Sequence, residues 1–247
     1  MSLFRPRILL SVVVLAVLGV AAAGAGWWFF VREDNQLATS APEIPADLVE
    51  GATTPAADAT AVDALPDDAL TFRVIPERSE AAYFADETLA SVGLPSTAKG
   101  ATTEIEGEFH LTADGLALAE GATSSFEVQL ATITSNEGRR DNRMREALEV
   151  TRYPSATFTV SSVTGYDPAI AEGEEQSLQL TGTLDLHGVQ REVTWDVLAR
   201  RQGDVFTALA TLNFLYSDFK IPVLNIGGFV SVEDDVTLQI QIVAQAV

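Results

Sequence analysis

The chain has no cysteine. Disulfides, thiol nucleophiles, iron–sulfur clusters and Cys-type zinc sites are thereby excluded. Histidine is nearly as scarce, with His110 and His187 the two among 247 residues. A two-histidine metal site needs a third ligand and supporting hydrogen bonds, so no metal and no cofactor are expected. Each histidine also has an ordinary role open to it. His110 alternates onto a polar strand face and is expected in solvent. His187 begins the turn Leu186-His187-Gly188, where a ring nitrogen commonly bonds nearby backbone. There is no Gly-x-Ser-x-Gly elbow, no Gly-rich phosphate loop and no His-Glu-x-x-His, so no catalytic residue is named. Basic residues are few: 15 Lys and Arg face 35 Asp and Glu, a formal net charge of −20. Nucleic acid is excluded as a partner, because its phosphates need Lys and Arg to neutralise them. Adhesion of the domain surface to anionic headgroups is disfavoured for the same reason.

What the chain does have begins with residues 8–31, which contain neither charge nor proline and are long enough to cross a bilayer as a helix. Arg5 and Arg7 precede this run, while Glu33 and Asp34 follow it, so the basic bias puts residues 1–7 in the cytoplasm. Trp27, Trp28 and Phe29 suit the aromatic belt at the outer interface. The expected protein is single-pass in the cell membrane with its C-terminal domain outside. The competing reading is a secreted form cut at Ala21-Ala22-Ala23. A cleavable apolar region is usually shorter, and aromatics so soon after the cut would be unusual. Residues 32–68 carry nine acids and one arginine among Ala, Pro and Thr, without a hydrophobic period. Too little apolar surface is available there to offset ordering entropy, and a disordered linker is expected.

Residues 69–247 read as all-β. Alternation of apolar with polar residues recurs in Phe109–Leu111, Leu116–Leu118, Phe126–Leu130, Phe158–Val160, Leu178–Leu186, Val193–Val197, Phe206–Leu212 and Val236–Ile242. One buried face per strand is the signature of an antiparallel sheet, and turn signals such as Asp114-Gly115 and Gly203-Asp204 separate the runs. About eight such strands close most simply as a barrel, which removes exposed edges; a two-sheet sandwich is the alternative. Short helices are expected near Pro95–Lys99 and over Asp141–Val150. Glu104, Glu106 and Glu108 share one strand face and read as a solvated row, not an acid pair.

The helical segment sits in a polar stretch, 135–158, between two alternating strands. Asn136 or Asp141 can cap its start, Pro154 cannot continue it, and Met144 and Leu148 share its apolar face. A helix this short must close onto something, and it reads as a lid over the end of the barrel. Its arginines, Arg139, Arg140, Arg143 and Arg145, stand in an otherwise acidic domain. The plain reading pairs them with Glu137, Asp141, Glu146 and Glu149. The sharper one sets Arg140 and Arg143 at the barrel mouth as contacts for a polar headgroup.

Five segments carry a family resemblance, in order: Arg140-Asp141 with Met144 and Leu148; Tyr153-Pro-Ser-Ala-Thr-Phe158; Gly182-Thr-Leu-Asp-Leu-His-Gly-Val-Gln-Arg-Glu-Val-Thr194; Ser217-Asp-Phe219 with Ile221; and Val232-Glu-Asp-Asp-Val236. Together they resemble the YceI-like polyisoprenoid-binding proteins over roughly Leu70 to Val247. Arg143 and Tyr216 depart from that pattern, which commonly has histidine and arginine at those positions. The resemblance implies an elongated lipocalin-like antiparallel barrel that holds a long-chain isoprenoid or another lipid and has no catalytic activity. Its apolar cavity would be lined by the inward residues Phe109, Leu111, Phe126, Val128, Leu130, Phe158, Val160, Leu184, Trp195, Ala208, Ala210 and Phe214, with Met144 and Leu148 from the lid. Small residues beside large ones suit a narrow channel and equally a filled, tapered core. An enzyme using the same cavity on a lipid-like substrate, or an interaction domain with a filled core, are the alternatives. Oligomeric state stays open, a homodimer included.

Overall fold

A computed structural model describes residues 35–50, 69–89, 94–223, 225–226 and 230–247. The strands are β1 (Leu70–Val74), β2 (Glu80–Leu89), β3 (Leu94–Thr102), β4 (Ile105–Leu111), β5 (Ser125–Gln129), β6 (Ser155–Thr164), β7 (Gln176–Leu186), β8 (Val189–Gln202), β9 (Val205–Leu215), β10 (Asn225–Ile226) and β11 (Val230–Ala246). Neighbours run β1-β4-β5-β6-β7-β8-β9-β11, and β11 pairs back onto β1, so eight antiparallel strands close into a barrel. β2 continues the line of β1 along the same edge of β11, and β3 pairs with β2.

The break between β1 and β2 has a local cause. Pro76 opens a single 3-10 turn over Pro76–Arg78, because it has no N–H to give to a ladder. Ser79 repairs the gap. Its hydroxyl donates to the Ile75 carbonyl (2.8 Å) and accepts from the Val243 N–H of β11 (3.1 Å). Backbone groups that lose a strand partner are thus satisfied by one side chain.

Two glycines allow aromatic rings to lie close to the wall. A Cβ at Gly182 would sit 2.2 Å from the Thr159 carbonyl and 2.9 Å from the Phe158 ring. A Cβ at Gly100 would meet the Tyr83 ring at 2.2 Å. The register of β6 with β7 shifts between Val160 and Ser162, beside Gly182. Extra residues of this kind bend and twist a strand, as closing a sheet requires.

The alternation of the longer strands maps onto an inward apolar face, and Trp195 is buried edge-to-face against Phe158 with ring centroids 5.8 Å apart. Other expectations change. Pro95–Lys99 belongs to β3 and not to a helix. β3 pairs in full only with β2, so the missing N–H of Pro95 is tolerated at this sheet edge. Leu116–Leu118 forms no strand; after Leu111 the chain folds back on itself through one isolated bridge, Leu111 to Leu118. His110 is buried, not exposed, with Nδ1 3.0 Å from the Thr71 hydroxyl, and the 119–124 segment runs along its edge, where Ser124 accepts from its N–H and the Ala119 N–H donates to its carbonyl.

The linker expected over 32–68 is partly replaced by ordered chain. Residues 37–50 lie along the outside of the barrel and end in the helical turn α1 (Ala46–Glu50). Gln239 fastens this strap by accepting from the Ala38 N–H (2.8 Å) and donating to its carbonyl (2.9 Å). Thr207 donates to the Pro42 carbonyl (2.7 Å), and the Ala41 N–H donates to Glu175 (2.8 Å). Arg78 pairs with Asp47. These bonds join strap backbone to outward side chains, so no hydrophobic period announces them. The cytoplasmic segment 1–7, the anchor 8–31 and linker residues 32–34 and 51–68 lie outside the described residues. Among the described residues no helix is long and apolar enough to cross a membrane.

Truncating Trp195 removes a buried aromatic that packs on Phe158, an effect of about 3 kcal/mol or more. Trp195→Ala is expected to lower the denaturant midpoint with little change in slope, and an unmoved midpoint would contradict this burial.

Candidate functional site

The helix α2 (Gly138–Ala147) begins three residues before Asp141. Glu137 is its N-cap and accepts from the Arg139 N–H at 3.1 Å. Asp141 instead turns inward and accepts from the Ser135 N–H (2.9 Å) and hydroxyl (2.5 Å), which ties the preceding loop to the helix. Met144, Ala147 and Leu148 are buried. The whole excursion, 130–154, is fastened at three places. The Leu130 N–H meets the Pro154 carbonyl (2.8 Å) at its base, and Ala101 of β3 exchanges two backbone bonds with Thr134. Arg140 donates to Glu87 of β2 at 2.8 Å.

Inside the barrel is a cavity of about 660 Å³. That lies within the usual range for a small-molecule site, roughly 300–1,000 Å³. All the apolar residues named from the sequence lie on its wall: Phe109 and Leu111, Phe126 with Val128 and Leu130, Phe158 and Val160, Leu184, Trp195, Ala208 and Ala210, Phe214, and Met144 with Leu148 of the α2 excursion. The core is therefore not filled.

Further wall residues were not singled out from the sequence. Leu178, Leu180, Leu238, Ile240 and Ile242 follow from simple alternation. Leu116–Leu118, in contrast, gave a strand-like signal, and the segment Gly115–Ala122 that contains it forms a loop on the cavity wall. β5 begins only at Ser125, opposite Thr159, while β6 runs on to Thr164, so beyond Thr159 β6 pairs with β7 alone and its other edge has no partner strand. Leu116 in it is 47% exposed, an apolar lip at the cavity. Asp114 holds the lip. It accepts from the Thr112 hydroxyl (2.6 Å), which lowers its pKa, and from the Leu116 N–H (3.0 Å).

A family model of the YceI-like domain matches residues 72–244. The chain belongs to the YceI-like family. Protein YceI of Shigella flexneri is 37% identical over 79 residues, 31% of this chain and 37% of that protein. Protein YceI of Salmonella newport is 39% identical over 75 residues, 30% of this chain and 35% of that protein. The match thus spans little more than a third of these curated relatives. Among solved structures, a polyisoprenoid binding domain from Saccharophagus degradans superposes with a TM-score of 0.55 at 17% identity, over 72% of this chain and 99% of that one. Burkholderia cenocepacia BcnA gives 0.52 at 18% identity, over 70% and 99%. These likenesses are of fold.

In this YceI-like barrel neither Arg140 nor Arg143 lines the cavity. Arg143 pairs with Glu146 on the helix surface at 2.9 Å, one of the local pairs open to it. Arg140 has a distant partner, Glu87, and also donates to Asn136 at 2.9 Å. The two side chains of the Arg140–Glu87 pair are 14% and 4% exposed. His187 takes the expected role, its Nδ1 3.1 Å from the Phe219 carbonyl. Polar groups on the cavity wall are sparse. Burial pushes the Tyr83 hydroxyl up to about 12 and raises Tyr216 further. Both therefore stay protonated near neutral pH and can donate. Tyr216 Oη and Trp195 Nε1 are buried with no hydrogen-bond partner.

The Arg140–Glu87 pair joins α2 to the wall, and removing one member leaves a mostly buried charge. Glu87→Ala is expected to destabilise the domain by about 3 kcal/mol. Arg143→Ala, at an exposed pair, should change the thermal midpoint little. Equal effects of the two substitutions in thermal unfolding would refute this difference.

Proposed function

We propose that this protein binds one long-chain isoprenoid or similar lipid in the barrel cavity, at the extracytoplasmic face of the membrane, as a carrier or store and without catalysing its conversion. The observation that carries the reading is the continuous apolar wall around about 660 Å³ of unfilled space. A chain of that chemistry gains by leaving water for such a wall, at roughly 25 cal/mol per Å² of apolar surface buried. The solved neighbour described as a polyisoprenoid binding domain supports the choice of ligand. Among the described residues, the titratable side chains on the wall are three tyrosines and Glu120, the last in the exposed loop. That set offers binding contacts more readily than acid–base chemistry. Phe109, Phe126, Phe158, Trp195 and their aliphatic neighbours would hold the chain, with Met144 and Leu148 closing over it.

Leu148→Glu tests the cavity as the site. A buried carboxylate against a hydrocarbon chain has no partner and is costly. The variant is expected to lose co-purified lipid, counted by solvent extraction and mass spectrometry, while the domain still unfolds cooperatively. Unchanged lipid content with a lowered midpoint would make α2 ordinary core. Turnover of the extracted lipid would favour the enzyme alternative.

The location follows from residues 8–31 and the arginines before them. Full-length protein is expected to stay in membranes after high-salt and alkaline washing. Recovery of a soluble form beginning near Ala23 would replace the anchor with a cleaved signal.

A further inference from the structure

We propose that a hydrocarbon ligand enters and leaves this barrel sideways, through a seam in its wall between the 115–123 segment and the free edge of β6, and not through the end that α2 covers. This rests on the lipid-binding reading and adds a route to it. The seam lies where the ladder stops. β5 reaches back only to Ser125, and the last bond across runs from the Val160 N–H to the Ser124 carbonyl, at 2.9 Å. Beyond it, among the described residues, no hydrogen bond crosses from 115–123 to 161–166. Ser161 turns its hydroxyl the other way, to the Thr181 carbonyl of β7 (2.9 Å). Both banks of the seam nonetheless belong to the cavity wall, with Glu120, Gly121 and Ala122 on one side and Ser161, Ser162 and Val163 on the other. Glu120, Gly121, Ser161 and Ser162 are also exposed, so the cavity reaches solvent here. A Cβ at Gly121 would meet nothing within 4 Å, which shows that this bank is not packed against its opposite.

A barrel wall parts most easily where no ladder has to break, because backbone bonds opened inside it are left unmade. Parting the α2 end asks for more. Ala101 and Thr134 exchange two backbone bonds there, Leu130 is bonded to Pro154, and the mostly buried Arg140–Glu87 pair would have to separate. At the seam the 115–123 bank stays with β4, through the Ala119 N–H on the His110 carbonyl (2.9 Å), and only its side facing β6 is free. Segments that open at low cost are exposed and hold few backbone bonds, and the seam meets both conditions. The free edge from Val160 to Thr164 is about 13 Å long, at roughly 3.3 Å per residue. A long chain can cross a slit of that length segment by segment, without threading its whole length through an end.

The chain has no cysteine, so an introduced pair can be crosslinked without ambiguity. Carrying the β5–β6 register past Ser125 and Thr159 sets Ala122 opposite Ser162. The test uses full-length protein in detergent, loaded with a radiolabelled tetraprenyl hydrocarbon before any crosslink is made. Ala122→Cys with Ser162→Cys is then joined by a short reducible bis-thiosulfonate, and Ala101→Cys with Thr134→Cys supplies the same clamp at the α2 end. Excess micelles take up what is released, and retained probe is counted by gel filtration at intervals. The seam clamp is expected to slow release about tenfold, with the original rate returning on reduction, while the α2 clamp changes it by less than about twofold. Slower release with the α2 clamp alone would move the passage to the lid end and overturn the proposal. Equal slowing by both clamps would reflect general stiffening and overturn it too. Release that ignores the seam clamp overturns the seam while leaving lipid binding standing. An unaltered protein that takes up no probe would overturn the lipid-binding reading and the seam with it.

Discussion

Everything in this fold depends on satisfying both edges of β11 along its length. β9 covers one edge from Asp235 to Gln245. The other edge is shared between β2 and β1, and a proline-led turn interrupts it. Without Ser79 the strand would carry a bare N–H at Val243 in the barrel wall, at the point where the ring closes. A buried, unpaired backbone group costs about as much as a lost hydrogen bond. One hydroxyl therefore joins the two halves of the covering edge, and with them the barrel.

Closure with eight strands then sets the size of the interior. A ring of this number is either filled by side chains or wide enough for a single ligand. Here the small residues Gly182, Ala208 and Ala210 stand on the inward face between large ones, and space remains. The two ends are treated differently. At one, Phe72 stacks on Phe109 at 5.0 Å and Phe206 meets both edge-on, next to the apolar lip. At the other, Phe214 packs edge-on against Phe219 and Tyr216. Rings from both clusters, Phe109 and Phe206 at one end and Phe214 and Tyr216 at the other, line the cavity between them.

The extent to which this was legible in the sequence follows from the kind of force involved. Strands whose inner face is buried and outer face wet print their period directly, and β7, β8, β9 and β11 were readable on that ground. So were the cavity-wall positions, because inward and apolar coincide in a barrel. Leu116-Ala117-Leu118 has the same period for another reason: its leucines form the wall of a loop, where no ladder exists. His110 looked exposed because its neighbours alternate correctly, yet its ring is buried against Thr71 of β1, a strand nearly forty residues away in sequence. The strap over 37–50 is held by single bonds from Gln239 and Thr207 to its backbone, and such contacts leave no compositional trace. Arg140 had four local acids to pair with and chose Glu87 of β2. Only the tertiary fold brings that residue close.

The strongly acidic composition has a structural consequence as well as a solubilising one. Most of the described ion pairs lie at the surface, where each is worth little. The Arg140–Glu87 pair differs because it is mostly buried and joins an inserted helix to the wall. Its cation is thereby withheld from the cavity, although it lies near the tyrosines. Tied to Glu87 and Asn136, Arg140 lies off the cavity wall. The ion pair therefore holds the inserted helix against β2 and fixes where its one mostly buried cation lies.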